Sequence, residues 1–205
     1  MMLQGIDISH WNRDYLVRDS YKIFDNVDFV IFKATEGLTF KDRMLDNYLS
    51  IYLSRRKDGL MGFYHYARPE VNKDAIAEAK HFLEVVRPYV GRAIFALDVE
   101  GNALRYQDLK KWVVKWVKYV RDETGVTPLV YCSESACTRI ASDELMKLSA
   151  GLWCARYNKN EPRKMIIKPW KFFAIWQYTS FPIDGDVFNG NEEQFRKYML
   201  PKKQC

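Results

Sequence analysis

The sequence lacks the long apolar runs that membrane-spanning helices need. No stretch of about 18 apolar residues occurs in it, so we expect no stable membrane association. Asp7 and Asn12 stand where a signal peptide would have its apolar core, which predicts synthesis in the cytoplasm without a signal peptide. Nor does a run of Pro, Gly or Ser interrupt the 205 residues, and we therefore expect a single domain over residues 1–205.

Cysteine and histidine are scarce and show no ligand spacing. The four cysteines form no CxxC pair, so we expect free thiols and no zinc site at Cys132, Cys137, Cys154 and Cys205. The three histidines match neither HxxxH nor HExxH, no GxSxG segment marks a serine nucleophile, and the glycines form no phosphate loop. These absences predict that the protein uses no metal and no cofactor.

Positive charge and aromatic side chains are both present in excess. Lys and Arg number 32 against 26 Asp and Glu, which leaves a formal net charge of +6. Such a charge favours a polyanionic partner, either nucleic acid or an anionic cell wall. No nucleic-acid-binding motif accompanies it, so we expect no nucleic-acid partner. Aromatic residues make up 15% of the chain, and their flat faces could take sugars or bases.

Short apolar runs alternate with amphipathic segments along the chain. Candidate strands are Gln4–Ser9, Asp28–Lys33, Leu60–Tyr66, Ala93–Glu100, Pro128–Cys132, Gly151–Ala155 and Phe172–Gln177. Candidate helices are Met44–Lys57, Lys73–Arg87, Tyr106–Thr124, a short segment after Ser142, and Glu192–Tyr198. This alternation predicts an α/β fold with a parallel sheet. About 200 residues are few for eight complete βα units, so some units should lack a full helix.

Polar residues recur where the predicted strands end. They are Asp7, Glu36, Tyr64, His65, Asp98, Glu100, Tyr131, Arg156 and Gln177. Because α/β proteins place their sites at the carboxyl ends of parallel strands, we expect these side chains to meet at one edge of the sheet. His65 and Glu36 are among those expected to bind substrate there.

The segment from Phe95 to Glu100 contains the sharpest chemical signal. Strand alternation places Asp98 and Glu100 on one face, with Cα atoms about 6.6 Å apart. Their carboxyl groups can approach to the roughly 5–5.5 Å that retaining glycosidases use. Repulsion between them would keep one protonated near neutral pH, as a general acid requires. Two other interpretations stay open: a solvated strand end, or a Mg²⁺ or Mn²⁺ site shared with Asp7 and Asp184.

Several motifs in series resemble one family. They are Gly5-Ile-Asp7-Ile-Ser9, Phe29-Val-Ile-Phe-Lys33-Ala-Thr-Glu36-Gly37, Gly62-Phe-Tyr64-His65-Tyr66-Ala67, Ala96-Leu-Asp98-Val-Glu100, Leu129-Val-Tyr131, Leu152-Trp153-Cys-Ala155 and Ile175-Trp176-Gln177-Tyr178. In order and spacing they resemble glycoside hydrolase family 25, the lysozymes (N-acetylmuramidases) of bacteriophage endolysins and bacterial autolysins. The resemblance extends from Gly5 to about Gly190, nearly the whole chain.

The resemblance implies a flattened, incomplete TIM-like α/β barrel and hydrolysis of the β-1,4 bond between N-acetylmuramic acid and N-acetylglucosamine in bacterial peptidoglycan. The resemblance implies that Glu100 is the general acid and base. Asp98 becomes either a direct nucleophile or a group that assists the substrate's N-acetyl. Asp7 and Asp184 match two further groove aspartates of the family, and sugar-contacting positions fall on Tyr64, Tyr131 and Gln177.

The chain departs from the family pattern in its last motif and in its extent. The family often has Val-Asp-Leu-Asn there, whereas this chain has Ile183-Asp184-Gly185-Asp186, which makes Asp186 a rival to Asp184. We expect no separate wall-binding domain in this chain and, without a signal peptide, a phage endolysin's route to the wall. Two alternatives remain: a non-catalytic wall-carbohydrate-binding protein on the same fold, and a metal-dependent hydrolase using the acidic cluster.

Overall fold

The computed structural model describes residues 1–157 and 168–202, and its strands form one sheet. In those residues the strands are β1 (Leu3–Ile8), β2 (Phe29–Glu36), β3 (Phe40–Lys41), β4 (Leu60–Tyr66), β5 (Ile94–Asp98), β6 (Leu129–Ser133), β7 (Leu152–Ala155), β8 (Ile175–Thr179) and β9 (Asp184–Phe188). Their order in the sheet is β1-β9-β8-β7-β6-β5-β4-β2-β3.

The sheet closes into an eight-stranded barrel because β1 pairs with β2 as well as with β9. Seven strands of the ring are parallel to one another: β1, β2, β4, β5, β6, β7 and β8. The eighth strand, β9, runs antiparallel to both its neighbours, β1 and β8. The two-residue β3 lies outside the ring, antiparallel to β2. The predicted α/β barrel is therefore confirmed, and its incompleteness lies at β8 and β9, which pair as antiparallel neighbours instead of forming a parallel βα unit.

The helices of the described residues differ widely in length. They are α1 (Arg13–Arg18), α2 (Ile23–Asn26), α3 (Leu45–Arg55), α4 (Ala75–Val86), α5 (Leu109–Thr124), α6 (Cys137–Ile140), α7 (Asp143–Lys147) and α8 (Glu192–Met199). In α5 the buried apolar side chains recur three and four residues apart, and Gly125 ends the helix in the left-handed conformation at φ +73°. The side chain of Asp74 caps α4 by accepting from the N–H groups of Ile76 and Ala77.

Alternation along the strands divides the buried apolar residues between two clusters. On β5, Phe95 and Leu97 belong to the larger cluster, which includes the apolar faces of α4 and α5. Ala96 belongs to the smaller cluster, which lines the inner face of the strands and includes Phe195 from α8. Asp98 has the parity of Ala96, so the inner face continues into the polar residues at the strand ends.

Three expectations about the chain can be compared with these elements. All seven predicted strands overlap observed ones, but β3 and β9 were not predicted. Cys132, Cys137 and Cys154 are buried free thiols, and Cys205 lies outside the described residues. Within residues 1–157 and 168–202, no helix has both the length and the apolarity needed to cross a bilayer.

Candidate functional site

An open groove of about 580 Å³ lies at the carboxyl ends of the parallel strands. Polar and aromatic residues from most strands of the barrel line it: Asp7, Ser9, Trp11, Asn12, Lys33, Glu36, Tyr64, Tyr66, Arg68, Glu70, Asp98, Glu100, Asn102, Tyr131, Trp153, Tyr157, Gln177 and Asp184. Eight of the nine residues predicted to be catalytic or substrate-binding are among them, and His65 is not. Arg156, which was also expected at this edge, does not line the groove and pairs with Glu134 at 3.3 Å.

Asp98 is the last residue of β5, and Glu100 follows two positions later on the same groove wall. Asp98 is only 7% exposed, and its Oδ1 has no hydrogen-bond partner in the structure. Burial, followed by the charge of Glu100, raises the pKa of Asp98 well above its ordinary value. Burial likewise raises the pKa of the half-buried Glu100. The pair therefore favours holding a proton, as a general acid must.

The ammonium group of Lys33 opposes these two shifts. It lies 2.6 Å from Glu36 Oε2 and 4.7 Å from the ring centroid of Tyr66, and the side chain is almost fully buried. Its positive charge lowers the pKa of both Asp98 and Glu100, against the larger effect of burial. The fixed positive charge of Lys33 thus makes it easier for Asp98 or Glu100 to lose a proton.

Asp7 lies on β1 and is held by an amide from the far end of the chain. Gln177 Nε2 donates to Asp7 Oδ2 at 2.6 Å. The amide oxygen of Gln177 accepts from the hydroxyls of Tyr131 and Tyr157, each at 3.0 Å, which fixes the orientation of the amide. Burial and the neighbouring carboxylates Asp186 and Asp184 raise the pKa of Asp7. The arrangement orients one carboxylate rigidly toward the groove.

Asp184 and Asp186 take different places although both belong to β9. Asp184 pairs with Asp7 in the β1–β9 register and lines the groove, and burial together with Glu100 raises its pKa to about 6. Asp186 is fully buried behind the wall, where Trp153 Nε1 donates to its Oδ1 at 2.8 Å. Burial raises the pKa of Asp186 to about 7. Of the two rivals, Asp184 is the one within reach of a ligand in the groove.

Glu36 belongs to a network of ion pairs along one side of the groove. In addition to Lys33 it binds Arg68, whose Nη1 lies 2.5 Å from Glu36 Oε1, and Arg68 Nε binds Glu70 Oε1 at 2.7 Å. Burial alone would raise the pKa of Glu36, but Lys33 and Arg68 outweigh it and hold the pKa below its ordinary value. Glu36 is therefore an ionised wall residue and a poor proton donor.

The structure corrects the expectation that His65 binds substrate. Tyr64 lines the groove, but its neighbour His65 points to the opposite face of β4, where it is 0% exposed. Its Nε2 lies 2.8 Å from Glu78 Oε2, its Nδ1 lies 2.8 Å from Thr35 Oγ1, and its ring stacks on Trp116. Burial lowers the pKa of His65 to about 3, so the ring is neutral. His65 fastens the sheet to α4 and contacts nothing in the groove.

Several groove residues were not predicted: Lys33, Tyr66, Trp153 and Tyr157. Strand parity could have identified two of them. Lys33 follows Phe29 and Ile31 on the inner face of β2, and Trp153 lies on the inner face of β7. Tyr157 follows the last residue of β7 by two positions, and no periodic signal marks it.

The groove carboxylates are not arranged as ligands of one ion. Among the residues that the structure describes, no three His, Cys, Asp or Glu side chains come together in a way that could hold a metal. What the geometry does provide is a desolvated carboxyl pair, a fixed cation and a hydrogen-bonded aspartate around an open groove. That combination suits proton transfer to and from a bound, uncharged substrate.

Comparisons with known proteins agree on one family. The family model described as glycosyl hydrolases family 25 matches residues 6–187. The uncharacterized protein YegX of Escherichia coli K12 is 30% identical over 96% of this chain and 73% of its own. A family GH25 lysozyme from Aspergillus fumigatus has 29% identity and a TM-score of 0.80, covering 98% of this chain and 100% of that one. The catalytic domain of endolysin ply40 from bacteriophage P40 of Listeria monocytogenes has 25% identity and a TM-score of 0.68, covering 97% and 98%.

Proposed function

The chain belongs to glycosyl hydrolase family 25, and from this membership we propose that it is a lysozyme that hydrolyses the β-1,4 bond between N-acetylmuramic acid and N-acetylglucosamine in bacterial peptidoglycan. The observation that carries the proposal is the carboxyl pair Asp98 and Glu100, desolvated side by side in an open groove. We further propose that residues 1–205 act as one catalytic domain.

Glu100 is the proposed general acid. Its raised pKa keeps a proton on the carboxyl group, which passes to the glycosidic oxygen as the bond from that oxygen to the anomeric carbon breaks. Water then adds to the anomeric carbon, and its proton returns to Glu100, now acting as base. The groove is open, so both sugar segments can lie along it while Glu100 stays half-buried.

Asp98 is proposed to stabilise the positive charge that develops on the sugar ring. It does so either by attacking the anomeric carbon or by orienting the N-acetyl group of the substrate for that attack. Its side chain lines the groove, which suits either route. Asp7, fixed by Gln177, and Asp184 opposite it add negative charge to the same end of the groove.

Tyr64, Tyr131, Gln177 and Glu36 are proposed to contact the sugars. The amide of Gln177 is already oriented by three hydrogen bonds, and Tyr131 packs edge-on against Trp153 with ring centroids 4.9 Å apart. Groups held in this way need no reordering when a ligand arrives, which favours binding.

A Glu100→Gln variant tests the proposal. The amide keeps the shape of the side chain but has no proton to donate, so release of reducing sugar from purified walls should fall by about 10²–10⁴-fold. Glu84→Gln is the control, because Glu84 lies on α4 with its side chain 75% exposed. An EDTA arm tests metal dependence. Retention of more than half the wild-type rate by Glu100→Gln would remove Glu100 from this role.

We also propose that the protein lyses a bacterial host for a phage. The likeness to the endolysin catalytic domain from the Listeria phage supports this narrower role. Protein made in the cytoplasm of a susceptible bacterium should leave the cells intact until the membrane is permeabilised, and should then lyse them. Lysis without permeabilisation would contradict the phage route and leave the proposed chemistry untouched.

A further inference from the structure

Trp11 is unlike the other tryptophans of the protein. Its side chain is 80% exposed, whereas Trp112, Trp116, Trp153, Trp170 and Trp176 are at most 6% exposed. It lies just after β1, at the lip of the groove that holds the carboxyl pair. A large apolar ring left in water beside a binding groove marks a surface that a ligand would cover.

The segment that carries Trp11 is held rigidly. Ser9 and Asn12 form a capping box, in which the Ser9 N–H donates to Asn12 Oδ1 at 2.8 Å. The neighbouring His10 is fixed by Asp42, whose Oδ2 accepts from the His10 N–H at 3.0 Å and lies 2.7 Å from the ring Nδ1. The indole is therefore presented on a fixed backbone, which lowers the entropy lost when a ligand binds.

Trp11 forms one end of a strip of rings that leads into the groove. Its ring centroid lies 4.6 Å from that of His10, which lies 5.6 Å from that of Phe40 on β3. Phe40 is 38% exposed and lies 5.6 Å from the ammonium of Lys33, a groove residue. We call Trp11, His10 and Phe40 the aromatic strip.

We propose that the aromatic strip is a saccharide subsite, which binds a sugar ring of the glycan strand beyond those at Asp98 and Glu100. The C–H groups on one face of a β-linked pyranose make an apolar surface that suits the face of an indole. Asn12, next to Trp11 and also lining the groove, supplies an amide for the polar rim of the same sugar. This subsite rests on the proposed function, because it takes the same glycan strand.

The charge around the strip favours a neutral sugar over a membrane surface. The groove into which it leads carries Asp7, Glu36, Glu70, Asp98, Glu100 and Asp184 against two cationic side chains, Lys33 and Arg68. An anionic bilayer would be repelled by that excess. The N-acetylglucosamine rings of a glycan strand are uncharged and would meet no such repulsion.

A fluorescence experiment tests the contact without turnover. Trp11 is the exposed tryptophan, so acrylamide quenching of the Glu100→Gln variant reports mainly on it. Long peptide-free glycan strands should protect this fluorescence, and a Trp11→Phe, Glu100→Gln double variant should show no such protection. If the glycan leaves quenching of the Glu100→Gln variant unchanged, the subsite does not exist.

Kinetics test whether the contact lies outside the central groove. On long glycan strands Trp11→Ala should raise KM about tenfold with kcat nearly unchanged, and Trp11→Tyr should restore most of the loss. A tetrasaccharide should show no such difference. Phe181→Ala is the matched control, because Phe181 is 84% exposed but lines a separate depression with Tyr178 and Ile183, and its KM should stay at the wild-type value.

The remaining outcomes are also decisive. An equal rise of KM on both substrates, or no rise on either, would overturn the proposal. So would loss of binding to anionic lipid vesicles in Trp11→Ala with KM unchanged, which would make Trp11 a membrane contact. If the wild-type protein fails to cleave any glycan, the proposed function fails, and the quenching experiment still decides whether the strip binds saccharide.

Discussion

Asp98 and Glu100 are separated by one residue, yet their surroundings differ. Asp98 is nearly enclosed and carries an oxygen without a partner, whereas Glu100 keeps part of its surface in the groove. The more exposed carboxyl group can exchange its proton with water between turnovers. The more enclosed one is harder to ionise, and Lys33 opposes that effect of burial. Once ionised, it interacts more strongly with the sugar, because its charge is desolvated.

Replacing Asp98 should change both the rate and its pH dependence. Asp98→Asn removes the negative charge proposed to face the developing cation, and activity should fall by about 10²-fold or more. The loss of a like charge should also lower the pKa of Glu100, so the alkaline limb of the pH–rate profile moves to lower pH. Measurement of reducing-sugar release across pH checks both effects. An unchanged rate with an unmoved alkaline limb would contradict the assignment of the pair.

Replacing Lys33 should move the alkaline limb of the pH–rate profile to higher pH, opposite to the effect of replacing Asp98. Lys33 lowers the pKa of Asp98 and Glu100, so its removal in Lys33→Met should raise both values. The general acid then stays protonated to higher pH, and the alkaline limb shifts upward. Lys33→Arg is the control that keeps the charge, and Glu36 retains Arg68 as a partner in either variant. The idea fails if the two variants have the same profile.

At this scale the sequence predicted the carboxylates but not what surrounds them. Asp7, Asp98 and Glu100 stand at the ends of predicted strands, so their meeting in one groove followed from topology, whereas Asp184 was assigned to the groove by the family resemblance. His65 was misassigned because it is adjacent to Tyr64, while alternation sends the two side chains to opposite faces of β4. Tyr157 could not be found, since it lies beyond the end of β7 and its hydroxyl reaches Gln177 on the neighbouring β8, a contact that no local pattern encodes.

The element α4 is tied to the sheet through a buried acid. Glu78 on α4 has its Oε2 within 2.8 Å of His65 Nε2, and the same oxygen accepts from the Arg68 N–H at 3.1 Å. Its other oxygen is buried without a partner. Burial raises the pKa of Glu78 to about 7 from an ordinary 4.5, so the folded protein favours the protonated acid. The contribution of the protonated Glu78 to the free energy of unfolding is complete below pH 4.5 and is lost as the pH rises through 7.

A Glu78→Gln variant should therefore be more stable than the wild type only in alkali. The amide oxygen can take the place of Oε2, accepting from the Arg68 N–H beside His65 Nε2. The amide never ionises, so it avoids a penalty that in the wild type grows to about 3 kcal/mol above pH 7. Urea unfolding at pH 5 and at pH 8 measures the difference in the free energy of unfolding. Glu84→Gln on the exposed face of α4 is the control. An equal difference at both pH values would contradict the pKa assigned to Glu78.

Elements with a periodic apolar pattern were predicted from the sequence, whereas β9, which has no such pattern, was not. Helix α5 was found because its apolar residues keep helical spacing over sixteen residues. The strand β9 begins Asp184-Gly185-Asp186, a composition typical of turns, and it forms because β1 and β8 flank it on both sides. Pairing between segments so far apart in sequence overrides the local preference.

At the scale of the whole molecule, the net charge of +6 should influence how the protein reaches a cell wall. Exposed lysines on α5 contribute to it: Lys110, Lys111, Lys115 and Lys118. Walls rich in anionic polymers attract such a surface, and the attraction shortens from a range of about 10 Å at 0.1 M salt to about 3 Å at 1 M.

Lysis of whole walls should therefore fall steeply as NaCl is added, while cleavage of a short neutral oligosaccharide hardly changes. The comparison separates long-range attraction from the chemistry in the groove, because the small substrate has no anionic polymer around it. Turbidity for walls and reducing-sugar release for the oligosaccharide give the two salt curves. Parallel curves would show that the lysines are only a solvated surface.

The closure of the barrel has a consequence for biosynthesis. The bond between Gln177 and Asp7 spans 170 positions, and Asp184 reaches the groove only on the strand that pairs with β1. While the ribosome is still translating β8, the nascent chain has neither a closed ring nor a complete set of groove carboxylates. The groove therefore cannot form until β9 has been made and has paired with β1, so these two strands complete it together.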